Sequence, residues 1–367
     1  MMEKTGKVFV AGHRGLVGSA ILENLRRKGY SNFVLRTHKE LDLTDQAAVA
    51  AFFERERPDY VFLAAAFVGG IMANSIYRAD FIWRNLQIEC NVIWNAWRMG
   101  VKKLMFLGST CIYPREAPQP MGEDCLLTSE LEYTNEPYAL SKIAGLRMCE
   151  SFNLQYGTNF IAVMPTNLYG PNDNFDLTTS HVLPALIRKH HLGRCLMEND
   201  WEALRRDLNR YPIEGINGQA SEKAVREILE KYGIRQTTDG QVSVEIWGTG
   251  KPLREFLWSE DMADACVWLM ENVDFKDLYK PGCKDIKNCH INIGTGKELS
   301  IRELVGKIAT ATGFSGDIIW NSSKPDGTMR KLTDPSKLHA LGWHHKVELD
   351  EGIARLYGWY LNHKSDR

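Results

Sequence analysis

The chain has 367 residues, 44% of them hydrophobic and 25% charged, with a formal net charge of −1. That length suggests about two domains, each able to bury a sizeable core. The even charge balance calls for no basic face of the kind that binds nucleic acid. No apolar run approaches the ~18 residues of a membrane span, so neither nucleic acid nor a membrane is expected as a partner. Eight cysteines occur without a CxxC pair. This spacing suggests neither a zinc site nor a disulfide framework, and no metal is expected. Reduced thiols in a cytoplasmic setting fit it best.

The opening "MMEKTGKVFVAGHRG" carries a short apolar run that leads into glycines. It reads as a first strand rather than a signal peptide. "VFVAGHRGLVGSAILENLRRKG" is then strand, glycine turn and helix, with Leu16, Ala20, Ile21 and Leu25 at helical spacing. Gly12, Gly15 and Gly18 have the GxxGxxG spacing of a dinucleotide site. The first permits the tight turn, the second lets backbone N–H groups approach a pyrophosphate, and the third allows close helix–strand packing. The competing reading is a structural turn without a phosphate; the strand before and the helix after argue against it. The next strand, "NFVLRTH", ends at Arg36, where an NAD site usually has Asp or Glu. With Arg14 inside the glycine turn, two guanidinium groups suit a ribose 2′-phosphate, which favours NADP. Two solvated surface arginines are the plainer alternative.

"DYVFLAAAFVGG" is a buried strand with a small-residue end, and "ADFIWRNLQIECNVIWNAWRMG" is a long helix. "KLMFLGSTCIYP" is an apolar strand that ends in Ser109, Thr110 and Cys111. Strand ends are where open α/β sheets bind ligands. By strand alternation, Thr110 is expected to face away from the other two and serve packing or a turn. A buried, inert cysteine is the commoner fate of a free thiol. In "TNEPYALSK", Thr134 or Asn135 can cap a helix and Pro137 fits its first turn. Tyr138 and Lys142, four apart, share a helical face. The ammonium is expected to lower the phenol's pKa. On its own, YxxxK is mostly structural. "FIAVMPTNLYGP" is the following strand and loop. The repeated β-α units predict a Rossmann-type, doubly wound parallel sheet, with a smaller C-terminal α/β substrate domain.

"TSH", ending at His181, precedes an apolar helix and by itself marks only a helix start. From about 191 to 241 the chain makes an excursion. "NDWEALRRDLNRY" aligns Trp201, Leu204 and Leu208, and "SEKAVREILEKYG" aligns Val225, Ile228 and Leu229 between Ser221 and Gly233. This predicts an inserted helical hairpin: a surface insertion, or else a lid or oligomer contact. Ser300 and Glu303 form a capping box before a last apolar helix region. The predicted domains are 1–170, with returning segments around 242–295, for the dinucleotide; 171–190 and 296–367 for the substrate; and 191–241 for the hairpin.

The stretches "VAGHRGLVGSAI", "LAAAFVGGIMAN", "FLGSTCIYP", "TNEPYALSKIAG", "MPTNLYGPNDNF", "SHVLPAL", "REFL" and "SKPDGTMRKL" together resemble the extended short-chain dehydrogenase/reductases. Within them, nearly the whole chain is similar to the NADP(H)-dependent enzymes that epimerise C3 and C5 of GDP-4-keto-6-deoxy-D-mannose and reduce C4. The resemblance implies that Ser109, Tyr138 and Lys142 carry the reduction. It implies that Cys111 and His181 are the acid–base pair of the epimerisation. A thiol suits that task, because its pKa of roughly 8.5 can be moved toward neutrality. The resemblance also assigns the cofactor to Gly12, His13, Arg14, Gly15, Leu16, Val17, Gly18, Arg36, Leu107, Gly108, Lys142, Pro165, Thr166, Asn167, Leu168 and His181. It assigns the substrate to Asn167, Lys189, Trp247, Arg254 and Asp326. Lys189 departs from the family arginine, keeping the charge but losing the bidentate fork. Family members pair two helices into a four-helix bundle, which implies a homodimer. Phe81, Trp83, Trp94 and Trp97 are expected to supply its aromatic surface.

Two rivals stand beside this reading. One is an NAD-retaining nucleotide-sugar 4-epimerase, against which Arg36 and Cys111 argue. The other is a non-enzymatic NADP-binding regulator, against which the intact Ser109, Tyr138 and Lys142 argue.

Overall fold

Short apolar runs and amphipathic stretches alternate through the first half of the chain and form alternating strands and helices. The computed structural model describes residues 2–324 and 326–363. Met1, Pro325 and residues 364–367, which the predicted domains include, lie outside the described residues. The first elements are β1 (Val8–Ala11), α1 (Leu16–Arg27), β2 (Phe33–Val34), α2 (Gln46–Glu56), β3 (Tyr60–Leu63), α3 (Ile71–Ile76) and α4 (Arg78–Arg98). They are followed by β4 (Lys103–Leu107), α5 (Glu136–Tyr156), β5 (Phe160–Pro165) and β6 (Asn167–Tyr169). Next come α6 (Val182–Met197), α7 (Trp201–Arg210), α8 (Glu222–Lys231), β7 (Ile234–Gln236), β8 (Val242–Trp247) and β9 (Leu253–Arg254). The remainder comprises β10 (Phe256–Trp258), α9 (Ser259–Asn272), β11 (Ile291–Ile293), β12 (Leu299–Ser300), α10 (Ile301–Thr312), β13 (Asp317–Asn321), β14 (Arg330–Lys331), α11 (Ser336–Leu341) and α12 (Leu349–Asn362).

The chain divides into two units. The first holds residues 1–172, 255–297 and 332–347. Its six strands run β11-β5-β4-β3-β1-β2, every neighbour parallel. Val8 pairs with Tyr60, and Leu104 with Phe160. β1, β3, β4 and β5 are buried along their whole length. A parallel sheet covered on both faces needs such continuous apolar strands. On one face Val10, Phe62, Met105 and Ile161 meet Ile21 of α1 and Met262 of α9. On the other, Phe9, Val61 and Phe106 meet Phe53 of α2, Val92 of α4 and Leu146 of α5. The strand order reverses beside β1, the switch point where such sheets bind dinucleotides.

The second unit holds residues 173–254, 298–331 and 348–367. Its main sheet runs β13-β8-β7, and a small one runs β12-β9-β14. The expected return of 242–254 to the first unit does not occur. β8 pairs along its length with β13, Val244 opposite Ile318, and this keeps it in the second unit. Residues 255–297 do return to the first unit, and residues 332–347, expected in the substrate domain, return as well, where α11 packs against β11. The expected hairpin is also different. α6 runs unbroken to Met197, α7 packs on α6, and α8 packs on β7, which adds an antiparallel edge strand to β8. Of the predicted apolar faces, Leu204, Leu208, Val225, Ile228 and Leu229 are buried and Trp201 is partly buried. Ser221 caps α8 through the Ala224 N–H, and Ser300 and Glu303 cap α10 reciprocally. Within this unit Arg188 is fully buried and bonds Asp207 through Nε and Nη2 at 3.0 and 2.9 Å. Its Nη1 donates to the Phe175 carbonyl, and the Tyr360 hydroxyl donates to Asp207.

Candidate active site

In the first unit, the glycine turn is shaped by its lack of side chains. Gly12 has a φ of +82°, and a Cβ on Gly18 would lie 2.2 Å from the Gly12 carbonyl oxygen. α1 starts at Leu16 directly after Gly15, so its unpaired N–H groups and positive dipole end face the turn. The buried His13 Nδ1 has no hydrogen-bond partner among the described residues. This cradle of bare backbone and an unpaired ring nitrogen fits a pyrophosphate group. Arg14 is exposed, and Arg36 lies just past the short β2, with Nη2 on Glu56 Oε1 at 2.8 Å. Both arginines act on the charge of Glu40. The Thr37 N–H and hydroxyl lower its pKa first, and Arg36 and Arg14 add to that.

At the end of β4, the Met164 thioether packs onto the bare Gly108; a Cβ there would meet its Sδ at 2.3 Å. The Gly108 N–H donates to Val163 on β5, and the Thr166 N–H donates to Ile293 on β11. These bonds fix the strand ends that carry Leu107, Pro165 and Leu168. Thr110–Ile112 then form one 3₁₀ turn. Alternation therefore does not place Thr110. Ser109 is the cap of this turn, its Oγ accepting from the Cys111 N–H at 3.3 Å. Thr110 and Cys111 are both buried. The expected Asn135 side-chain cap of α5 is not made. Glu132 instead accepts the N–H groups of Thr134 and Asn135.

Tyr138 sits in the first turn of α5, its ring edge-on to buried Phe81 at 6.2 Å between centroids. Phe81 thus belongs to this wall and not to the outer surface expected for it. Lys142 lies one turn later and is buried, with Nζ 3.1 Å from the Leu107 carbonyl oxygen and 3.0 Å from Glu89 Oε1. Lys142 does not lower the Tyr138 pKa as expected. Burial of the hydroxyl end raises it well above the ordinary tyrosine range, and Cys111 and Glu89 add to the rise. Both the thiol and this carboxylate therefore act on the phenol. Asn167 on β6 is exposed and gives one amide N–H to the Glu255 carbonyl at 2.9 Å.

In the second unit, exposed His181 immediately precedes α6. Desolvation alone lowers its imidazole pKa, and water at the exposed ring limits that effect. Lys189, two turns into the helix, donates from Nζ to the Glu245 carbonyl on β8 at 3.0 Å. Burial pushes its pKa down to about 8, against the pull of Glu245. Trp247, two residues along the same strand face, is exposed, with Lys324 Nζ 5.2 Å above its ring. Asp326 accepts from the Thr249 N–H and hydroxyl at 2.9 and 2.7 Å. Burial lowers the Arg254 pKa and Asp326 counters it. A tryptophan face, two ammonium groups and a half-desolvated guanidinium can hold a base and a diphosphate.

The model of the NAD dependent epimerase/dehydratase family matches residues 8–208 and 214–294. The chain belongs to that family. It is 47% identical to "GDP-L-fucose synthase 1" of Arabidopsis thaliana, over 100% of this chain and 97% of the relative. A solved GDP-6-OMe-4-keto-L-xylo-heptose reductase from C. jejuni is 47% identical, with a TM-score of 0.90 over 98% of each chain. A GDP-mannoheptose C4 reductase from Campylobacter jejuni, solved with NADP bound, is 45% identical, with a TM-score of 0.84 over 98% of this chain and 99% of that one.

Two carboxylates escaped the sequence reading. Glu255 is fully buried and accepts N–H groups from Thr295, Gly296 and Thr333, tying the loop after β11 to the segment after β14. Glu89 is the other. The signal for it was present: it falls on the buried stripe of α4 with Phe81, Asn85, Ile88 and Val92.

Proposed function

We propose that this protein is an NADPH-dependent bifunctional epimerase/reductase that converts GDP-4-keto-6-deoxy-D-mannose to GDP-L-fucose. The observation that carries the reading is the pairing of Ser109, Tyr138 and Lys142 with the Cys111 thiol, buried where it acts on the Tyr138 hydroxyl. A plain 4-epimerase needs the first three groups and not the thiol.

In this reading Cys111 removes a proton from the carbon beside the ketone. His181 returns one from the opposite face, and the same exchange at each carbon inverts C3 and C5. Ser109 and Tyr138 hydrogen-bond O4 while the enolate charge resides there. NADPH supplies the hydride that reduces C4. Tyr138 gives its proton to O4, so ketone becomes hydroxyl, and the phenol recovers its proton beside Lys142. A phenol held protonated is suited to that donor role. Gly12 to Gly18 hold the pyrophosphate, Arg14 and Arg36 the 2′-phosphate, and the strand-end residues Leu107, Gly108, Pro165, Thr166 and Leu168 flank the nicotinamide. Asn167, Lys189, Trp247, Arg254 and Asp326 bind the GDP-sugar.

The likeness to two Campylobacter heptose enzymes, at 47% and 45% identity, favours one second reading: C4 reduction of a GDP-4-keto-heptose. One experiment separates them. The purified protein is given NADPH and either GDP-4-keto-6-deoxy-D-mannose or a GDP-4-keto-heptose in heavy water, and products are read by mass and NMR. GDP-L-fucose carrying deuterium at C3 and C5 is expected. Reduction of the heptose alone would replace the first reading with the second.

The same reading includes a homodimer formed through α4 and α5. Trp83, Trp94, Leu140, Leu154 and Tyr156 on these helices are exposed, an unusual run of large apolar groups. No described helix is long and apolar enough to cross a membrane. The eight free cysteines support a reducing, cytoplasmic setting.

A further inference from the structure

Lys142 is the ammonium nearest the reacting phenol, and its three N–H donors are not equally committed. One reaches the Leu107 carbonyl at 3.1 Å and one reaches Glu89 Oε1 at 3.0 Å. Its Nζ lies 4.8 Å from the centroid of the Phe106 ring and 5.7 Å from that of Tyr138. Both members of the ion pair are almost wholly buried, at 2% and 1% side-chain exposure. Space for the carboxylate is provided by Gly145. A Cβ there would lie 2.8 Å from Glu89 Oε2 and 2.5 Å from the Phe106 ring. Neither Glu89 oxygen has a fully aligned hydrogen bond among the described residues, so Lys142 is its main compensation. A buried carboxylate is costly unless it is paired, and helix α4 carries it here against that cost.

We propose that Glu89 is a positioning residue for the reduction: it holds Lys142 in place beside Tyr138 and balances the ammonium charge, so that Tyr138 stands as a proton donor. This rests on the epimerase/reductase reading of the site. A lone ammonium close to a phenol stabilises the phenolate, which favours oxidation of an alcohol. A reductase needs the phenol instead. The third Lys142 donor is then free for a ribose hydroxyl.

The charges around this pair are few. α5 brings Lys142 and Cys149, α4 itself brings Cys90, the turn after β4 brings Cys111, and Tyr138 completes the set. The other helices packed on α4, α2 and α3, add no charge to Glu89 among the described residues. Burial raises Glu89 above the ordinary carboxylate range and Lys142 counters that rise.

The test is Glu89→Gln, which keeps shape and removes charge. The rate of NADPH-dependent ketone reduction is followed against pH in wild type and variant. The alkaline limb of kcat is expected to move down by about one pH unit, as for a phenol exposed to an unbalanced ammonium. KM for the GDP-sugar should be unchanged. A second measurement needs no turnover: the Tyr138 ring-carbon NMR signal, assigned with Tyr138→Phe, should titrate at lower pH in the Gln variant. If Glu89→Gln does not fold, Glu89→Asp is used. Its carboxylate retreats by one methylene and should shift both readouts in the same direction by less. Superimposable pH profiles and tyrosine titrations would overturn the proposal. If wild type reduced no GDP-4-keto-sugar at all, the reading beneath it would fail, while the tyrosine titration would still report on the Glu89–Lys142 coupling.

Discussion

Each unit contains a buried ion pair between helices, and the two pairs differ in what they leave over. In the second unit the carboxylate is saturated: Asp207 accepts from Arg188 on one oxygen and from the Tyr360 hydroxyl on the other, and the guanidinium also bonds the Phe175 carbonyl. This pair fastens α7 to α6 and α12. In the first unit the carboxylate is not: Glu89 has Lys142 within 3.0 Å, yet neither of its oxygens has an aligned hydrogen bond among the described residues. Spare capacity in a buried charge costs stability, so its presence points to function, whereas a saturated pair points to scaffold.

That contrast breaks if the two sites respond alike to mutation. The largest effect is expected at Tyr138, beside the unsaturated pair. Tyr138→Phe should lower the reduction rate by ~10²–10⁴, the range of a general acid, with little change in melting temperature. Deuterium should still enter C3 and C5 in that variant, because the Cys111 thiol is intact. Cys111→Ser should do the reverse, since a hydroxyl is too weak a base. It should reduce the ketone without epimerising it. Wild-type exchange rates in Cys111→Ser would remove the thiol from the mechanism.

At the saturated pair the expected loss is one of stability. Asp207→Ala leaves the buried Arg188 guanidinium without its counter-ion, a cost of about 3–5 kcal/mol. Urea unfolding should register it, while kcat of the protein that is still folded stays near wild type. A loss of kcat without loss of stability would move Arg188 and Asp207 from the scaffold to the site.

What the residues disclosed, and what they did not, follows the range of the forces involved. The glycine turn was legible because its demands are mostly local: Gly12 has a positive φ, and Gly18 is fixed by its approach to Gly12 within the same strand–turn–helix. The apolar strands and the faces of α7 and α8 were legible for the same reason. Periodicity gives a face but not a neighbour, so α7 and α8 were expected on each other and instead found α6 and β7. Phe81 was assigned to the surface because its helix was known and the ring it meets was not. Alternation failed at Thr110 because the strand ends at Leu107 and the chain turns. Glu89 went unseen because its meaning depends wholly on Lys142, a residue on another helix.

Lys189 sharpens the comparison further, because it follows Arg188 in sequence and has the opposite surroundings. Arg188 has a carboxylate; Lys189 donates to a carbonyl and is pushed down to about 8 by burial. An unfolded lysine titrates near 10.4. Between those values the folded protein holds Lys189 neutral while the unfolded chain keeps it charged, so this group adds stability as pH rises through about 8. Binding runs the other way. A diphosphate needs the ammonium, so above that pH KM for the GDP-sugar should rise, by at most about tenfold per unit for one titrating group. Lys189→Arg keeps its charge throughout and can grip two phosphate oxygens. Its KM should stay flat over the same range, with kcat unchanged. KM profiles of wild type and Lys189→Arg that rise together above pH 8 would show that Lys189, despite its unspent charge, does not touch the substrate.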